Sequence, residues 1–366
     1  LVSNIFIYLP SFAGGGAERV FVRFANAAVE RGIDVSFVVN RDEGPLRDLL
    51  SSQVRVINLD VDRGWKAVLR LPRILREERP AALYSAMTGP NIVAQLCCLL
   101  AGPKVRHVAS ERNHPTGLMK KWTPRKRFAY KILIRLFYPR MSVITAVTDD
   151  VRSDLARYTG KAGKDKIVVV HNPAPENDET AGNASASVHP WFGDGGGPVI
   201  LAIGRLVEQK GYKTLLMSLA ESTRKDVRLL VLGEGPQKTE LRTMAQTLGL
   251  ARRTEFCGFV PNRLDYLKQA SLYVLSSETE GFPNSLLEAV SCDVKVVSTD
   301  FAGGGARTIL GEENTCIVPV NRPTELARAI ERELERDVAP GQISSLATRF
   351  SMERMTQKFL DLAETA

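Results

Sequence analysis

Glu280 and Glu288 fall in the run Glu280-Gly281-Phe282-Pro283-Asn284-Ser285-Leu286-Leu287-Glu288. Pro283 and Asn284 read as a helix entry, with Asn284 or Ser285 near the cap, so the first amides of that helix lack intrahelical partners and suit a phosphate. Glu280 stays in the preceding loop and Glu288 sits about a turn inside the helix. Carboxylates so placed can accept hydrogen bonds from hydroxyls at opposite ends of one ligand. A capping acid beside a solvated helix Glu is the plainer reading of such a pair taken alone. A second run, Gly204-Arg205-Leu206-Val207-Glu208-Gln209-Lys210-Gly211, places two fixed cations between a strand and a helix. Arg grips phosphate oxygens as a fork and Lys as a point charge, which suits a diphosphate gaining negative charge as it leaves; a surface ion pair is the alternative.

Two further loops carry candidate chemistry. Gly14, Gly15 and Gly16 are consecutive, between a first strand and a helix beginning near Glu18. That is not the spacing of a dinucleotide fingerprint, but amides there can face an anion; a flexible turn is the bland alternative. Ser110-Glu111-Arg112-Asn113-His114 follows a strand at Val105–Ala109. Arg112 is a candidate for phosphate or acceptor, and His114 is the titrating group there unless it is only a surface histidine.

The elements that must position these loops alternate in a regular way. Aliphatic runs at Asn4–Leu9, Val35–Val39, Val105–Ala109, Val143–Ala146 and Ile167–Val170 are separated by helix-period segments such as Glu18–Arg31. Parallel strands need crossovers long enough for a helix, so this half reads as a doubly wound α/β domain over residues 1–172. Pro175 to Gly197, rich in Asn, Ser, Ala and Gly, reads as a connector. The rhythm restarts over 173–350, with strands at Val199–Ile203, Arg228–Leu232, Glu255–Phe259, Leu272–Leu275, Lys295–Ser298 and Thr315–Val318 and a helix at Ser285–Val290. A final helix, 351–366, is expected to pack back on the first domain.

Composition bounds the rest. The 366 residues, 44% hydrophobic and 25% charged, exceed one compact core and exclude extensive disorder. A net charge of +8 points to an anionic partner. The five cysteines show neither metal spacing nor a disulfide framework, which fits a reducing cytosol. The chain opens in a strand pattern without the marks of a signal peptide, and its longest apolar run is too short to cross a bilayer. From Lys120 to Arg140 there are eight basic residues and no acid, interleaved with aromatic and aliphatic ones. Lys120, Lys121, Trp122, Arg125, Lys126 and Arg127 open this stretch. It resembles interfacial helices on anionic bilayers, or else a solvated basic face; nucleic acid is disfavoured for want of any accompanying motif.

Taken together, Arg205 and Lys210 after a strand, the Glu280-x7-Glu288 pair beginning Glu-Gly-Phe-Pro-Asn, and the early Gly-Gly-Ala-Glu-Arg resemble the retaining glycosyltransferases of family 4. The resemblance covers nearly the whole chain. It implies the GT-B fold, two Rossmann-like doubly wound domains facing each other across a cleft, with the acceptor on the N-terminal domain and a nucleotide-sugar, most naturally a UDP-sugar, on the C-terminal one. Gly204, Arg205 and Lys210 would hold the diphosphate, and Glu288 the ribose. Glu280 with Gly281 and Phe282 would hold the transferred sugar, and Asn284, Ser285 and Leu286 would add phosphate contacts. The base would lie near Phe259 and Val260, and Gly15 and Gly16 would approach the reacting groups. No cofactor or metal is implied, and the acceptor would be a glycan or polyprenyl-linked glycan at the inner face of the plasma membrane. A nucleotide-sugar epimerase of the same architecture and a non-catalytic membrane scaffold are the rival readings. Two departures stand out: Cys292-Asp293-Val294-Lys295 where relatives read Cys-Gly-x-Pro, and Gly303-Gly304-Gly305-Ala306-Arg307-Thr308 without the Glu usual after that loop.

Overall fold

The structure is a computed structural model and describes residues 4–102, 105–120, 122–175, 188–311 and 316–364. Lys121, part of the basic stretch, and most of the connector lie outside the described residues. The chain divides into two units, Leu1–Pro173 with Met352–Ala366, and Ala174–Ser351.

In the first unit β1 (Asn4–Leu9), β2 (Asp34–Val39), β3 (Arg55–Asn58), β4 (Ala82–Ala86), β5 (Arg106–Glu111), β6 (Val143–Ala146) and β7 (Ile167–Val169) form a parallel sheet in the order β3-β2-β1-β4-β5-β6-β7. Its helices are α1 (Gly16–Glu30), α2 (Leu71–Glu78), α3 (Thr88–Ala101), α4 (Pro115–Met119), α5 (Pro124–Phe137), α6 (Asp149–Thr159) and α7 (Lys161–Lys164). Helices cover both faces of such a sheet, which is why β1 and β4 are almost continuously apolar and buried.

The second unit repeats the plan. Strands β8 (Val199–Ile203), β9 (Arg228–Leu232), β10 (Thr254–Gly258), β11 (Leu272–Leu275), β12 (Val296–Asp300) and β13 (Ile317–Pro319) lie parallel in the order β10-β9-β8-β11-β12-β13. Its helices are α8 (Tyr212–Glu221), α9 (Lys238–Thr247), α10 (Arg263–Gln269), α11 (Asn284–Ser291), α12 (Gly305–Leu310) and α13 (Pro323–Glu335). In each sheet the order reverses beside the first strand of the unit. In open α/β sheets ligands gather outside the carboxyl ends of the strands at such a reversal.

The chain's last helix, α14 (Met352–Glu364), belongs to the first unit. Phe359 is fully buried there, its ring 5.0 Å from Phe24 and 5.7 Å from Phe21 and Tyr84. Tyr84 Oη donates to the Phe359 carbonyl (2.7 Å), and Arg106 Nε to the Leu362 carbonyl in the last helical turn (2.7 Å). The second bond satisfies a carbonyl of the last turn and places a cation at the negative end of the helix.

Several boundaries differ from those read off the sequence. β5 runs on to Glu111, because parallel pairing continues through Ala86 with Ser110 and Ala146 with Glu111; these two residues belong to the strand and not to the loop after it. β10 stops at Gly258, leaving Phe259 beyond the strand. α11 begins one residue earlier than expected: Pro283 holds the cap position with extended backbone and no side-chain cap bond, so neither Asn284 nor Ser285 caps it. A proline has fixed φ and no amide to satisfy, which suits the start of a helix.

The substitution of Asp293 for the glycine usual at this turn has a structural account. Asp293 takes up the left-handed conformation (φ 58°). Its carboxylate accepts from the amides of Gly341 (2.6 Å), Ile343 (3.0 Å) and Ser344 (2.8 Å), bonds that no glycine could make. The strain of a non-glycine residue there is offset by three charge-assisted bonds tying α11 to the segment before α14.

Candidate active site

In the second unit the two loops singled out separately in the sequence are stitched together. Gly204 follows β8, and Glu208–Lys210 make a short 3-10 turn closed by Gly211. Gln209 Nε2 donates to the Thr279 carbonyl (2.7 Å), the Glu278 amide to the Gln209 carbonyl (2.8 Å), and Ser276 Oγ to the Lys210 carbonyl (2.9 Å). The result is a 2.6 Å ion pair between Lys210 Nζ and Glu280 Oε1, both largely buried, with Ser277 Oγ donating to the same oxygen (2.9 Å). Arg205 is exposed at the end of β8, and its guanidinium has no partner among the described residues. A cation fixed by its loop stands beside one left open.

The glycine loop after β12 has a steric purpose. A Cβ at Gly303 would lie 1.9 Å from the Glu280 carbonyl oxygen, and one at Gly305 would lie 2.5 Å from that of Gly281. The loop therefore presses on Glu280-Gly281-Phe282 and fixes their backbone, while Arg307 pairs with Asp300 at 2.5 Å. Glycine is the residue that permits so close an approach.

Glu288 is engaged by a residue the sequence reading missed. Arg263, on α10, donates through Nε to Glu288 Oε2 and through Nη2 to Oε1, both at 2.6 Å, with the carboxylate side chain 7% exposed. Such a fork fixes the plane of the carboxylate. Its four lone-pair positions still leave room to accept further donors. Ser285 Oγ accepts from Tyr273 Oη (2.7 Å), and the Leu286 amide bonds the Pro283 carbonyl (3.1 Å) with its side chain buried. Leu286 therefore has no free amide to offer a phosphate, contrary to expectation, because the first turn tightens around Pro283. The Ser285 amide keeps no partner among the described residues. Phe259 is 59% exposed beside the half-buried Val260.

In the first unit α1 opens at Gly16 with Gly15 as its cap; a Cβ on Gly15 would stand 2.3 Å from Glu18 Oε2. Arg112 is buried under this turn, its guanidinium carbon 5.7 Å from the Phe21 ring centre. Nη1 reaches Ser110 Oγ at a long 3.4 Å, and Nη2 is buried with no hydrogen-bond partner among the described residues. Burial pushes the guanidinium down to about 10, against the pull of Glu18 and Glu111. A buried cation with an unmet donor is costly, and an anion reaching it would relieve that cost.

Glu111 is the second residue that sequence reasoning passed over. It is fully buried, accepting from Tyr138 Oη (2.6 Å) and Thr88 Oγ1 (2.7 Å), and the Tyr130 hydroxyl closes on Thr88 at 2.5 Å. Burial raises its pKa despite these bonds. His114 turns out to be a helix cap: its Nδ1 accepts from the Gly117 amide at 3.0 Å, and burial holds its pKa below the usual value although Asp154 lies 3.5 Å away. That leaves the ring neutral near pH 7, its proton on Nε2 and its other nitrogen occupied.

From Pro124 on, the basic stretch folds as α5 and a short 3-10 turn at Tyr138–Arg140. Lys126 Nζ lies 4.1 Å from the centre of the Trp122 ring, which meets Tyr130 edge-on at 4.9 Å. Arg125, Lys126 and Arg127 are exposed, as is Lys120. Farther along α5, Phe128 (68% exposed), Ile132 (48%) and Leu136 (45%) recur every fourth residue, so they form one outward stripe. Leu99 and Leu100 on α3 are exposed as well.

Among the described residues one group, His189, Glu255 and Cys257, brings metal-type donor atoms within 4.8 Å of each other. His189 Nδ1 accepts from the Trp191 amide at 3.2 Å and Nε2 lies 3.2 Å from Glu255, so protein groups already engage both ring nitrogens. No described helix is long and apolar enough to cross a membrane.

Comparison with known proteins agrees in both halves. Residues 14–177 match the family described as Glycosyltransferase Family 4, and residues 190–349 match Glycosyl transferases group 1. The chain is 27% identical over 364 residues to the lipopolysaccharide core biosynthesis glycosyltransferase LpsE of Rhizobium meliloti, covering 95% of each. It is 27% identical over 344 residues to a Campylobacter jejuni N-acetylgalactosaminyltransferase, named for a diphospho-undecaprenol-linked acceptor, covering 91% of this chain and 90% of that one. Among solved structures, Anabaena HepE in complex with UDP and glucose superposes with a TM-score of 0.83 at 17% identity over the full length of both. WaaG, from lipopolysaccharide biosynthesis, does so with a TM-score of 0.75 at 15% identity, covering 99% of this chain and 100% of that one.

Proposed function

From the premise that the chain belongs to the family 4 glycosyltransferases, enzymes of the GT-B fold, we propose that it transfers a sugar with retention from a UDP-sugar to a lipid-linked glycan, without a metal. The observation that carries this reading is the knitting of the Lys210 loop to the Glu280 loop, which fixes a cation and a carboxylate 2.6 Å apart at the carboxyl ends of β8 and β11. Lys210, the open Arg205 and the Ser285 amide suit a diphosphate; Glu280 suits sugar hydroxyls and Glu288 a ribose. In the reaction the bond from the anomeric carbon to the β-phosphate oxygen breaks and its electron pair leaves with the nucleotide. The acceptor oxygen bonds to the same face of that carbon and gives its proton to the departing phosphate. The protein's work is positioning and stabilising negative charge on the leaving group, the part that pre-set cations perform best. Arg112, with its unmet buried donor, suits a phosphate bound at the first unit. UDP as donor nucleotide is supported by its presence in the solved HepE complex.

A thermal-shift panel of UDP, GDP, ADP and their sugars tests the donor. A ligand at a hundred times its Kd stabilises the folded state by about 2.7 kcal/mol, so one nucleotide should raise the melting temperature well above the other two. Equal, negligible shifts with all of them would remove the reading. Nucleotide release accelerated by an acceptor distinguishes transfer from epimerisation, which needs none.

Location at the inner membrane face is proposed on the outward stripe of α5 and its flanking cations. An apolar stripe among basic residues suits an anionic bilayer surface, where each cation contributes roughly 1 kcal/mol. The protein should sediment with anionic vesicles at low salt and be released by added salt, while Phe128→Ser with Ile132→Ser should weaken this without moving the melting point. Sedimentation equal for neutral and anionic vesicles would argue against it.

A further inference from the structure

A pocket of about 420 Å³ opens within the first unit, beyond the carboxyl ends of β1, β2 and β3 and beside the start of α3. It lies where the strand order reverses between β1 and β4, the place where open sheets of this kind hold ligands. Its volume falls in the range of about 300–1,000 Å³ usual for small-molecule sites. Ser11, Asn40, Arg41, Glu43, Asp62 and Trp65 supply its polar and aromatic lining. None of these residues belongs to the donor machinery described above.

Two features say what would fit. Trp65 is 57% exposed, an indole laid open beside the pocket where a flat apolar face can receive a ring. Asn40 is only 6% exposed, and Tyr8 Oη donates to its Oδ1 at 3.0 Å. That bond orients the amide, and Nδ2 finds no acceptor among the described residues; a Cβ built on Gly64 would stand 3.7 Å from it. A donor held in place by its own residue and left open to a pocket suits an oxygen from the ligand. The charges select further: the lining holds one cation, Arg41, and two acids, Glu43 and Asp62, and Asp62 is paired with Lys66 at 2.5 Å. Such a lining offers no surplus of positive charge to a diphosphate, whereas carboxylates and an amide are good partners for neutral hydroxyls.

We propose that this pocket is the acceptor's sugar subsite, seating a neutral hexopyranose ring on the Trp65 indole with hydroxyls on Asn40 Nδ2 and the Glu43 and Asp62 carboxylates. The assignment rests on the sugar-transfer reading and names the residues that select the acceptor. It is tested on the full chain by saturation-transfer NMR with the methyl α-glycosides of glucose, galactose, mannose and N-acetylglucosamine, with the UDP thermal shift measured on the same samples. At least one glycoside should bind the wild type. Trp65→Ala should weaken that binding about tenfold, Trp65→Phe should restore most of it, and neither should change the UDP shift. Binding that is unchanged in Trp65→Ala, or no binding of any of the four to the wild type, overturns the proposal. Glycoside binding that depends on Trp65 in a protein that UDP does not stabilise upholds the pocket and removes the donor reading instead.

Discussion

Lys210→Met should lower cleavage of the sugar nucleotide by roughly 10²–10³-fold, the usual effect of deleting one pre-set donor to developing negative charge. The assay need not await the natural acceptor, because slow hydrolysis of the donor breaks the same anomeric bond. Lys210 is held in place by its own loop: its carbonyl accepts from Ser276 Oγ, and neighbouring Gln209 is bonded to Thr279. The ammonium therefore does not need the ligand to order it. Deletion also strips Glu280 of its 2.6 Å partner, and a largely buried carboxylate left alone could disturb the site by itself. Lys210→Met combined with Glu280→Gln separates the two effects, since the double variant has no orphaned charge. Lys210→Arg should recover part of the rate by keeping the charge while changing its shape. Hydrolysis within a few-fold of wild type in Lys210→Met, with the fold intact, would exclude Lys210 from the reaction.

The second large effect is expected at the ribose. A carboxylate holding the ribose hydroxyls should make a nucleoside diphosphate bind more tightly than its 2′-deoxy counterpart. Hydrogen bonds to a charged group contribute about 1.5–3 kcal/mol, or roughly ten- to a hundredfold. Glu288→Gln should raise the Kd of UDP by about that factor and change that of 2′-deoxy-UDP little, so the two converge. Arg263→Met should also bring them together, because the fork that fixes the Glu288 carboxylate at two 2.6 Å bonds is gone. It should lower stability too, since removing one partner of a buried pair leaves the other uncompensated, typically at about 3–5 kcal/mol. Arg263→Lys restores charge without the fork, and isothermal titration of both nucleotides against all three variants gives the comparison. If Glu288→Gln abolishes the preference and Arg263→Met does not, Arg263 is only a counter-ion; if neither does, the ribose is held elsewhere.

The architecture was open to reading because both halves alternate short aliphatic strands with helical segments, and because glycines and prolines punctuate the functional loops. The motifs around Arg205, Lys210, Glu280 and Glu288 are local runs of sequence, so residue order alone displays them. Arg263 is a different case. It lies on another helix, and as a sequence letter it looks like any surface arginine; the signal that could have found it was a buried acid on an otherwise apolar helix face, which demands a cation. Glu111 escapes for a related reason: with the strand read as ending at Ala109, a carboxylate in the loop after it needs no explanation. On α5 apolar residues fall on more than one face, so the sequence could not say which of them the rest of the unit covers; the structure leaves Phe128, Ile132 and Leu136 outward.

The aromatic cluster of Phe21, Phe24, Tyr84 and Phe359 draws on segments made at very different times during translation. Residues 4–173 carry every strand of the first sheet as they leave the ribosome, yet the hydrophobic seat for Phe359 stays empty until the whole of Ala174–Ser351 has been made. The contiguous second unit is free to complete itself first. The half synthesised earlier thus finishes later, and in the interval its unfilled seat is a natural client for a chaperone.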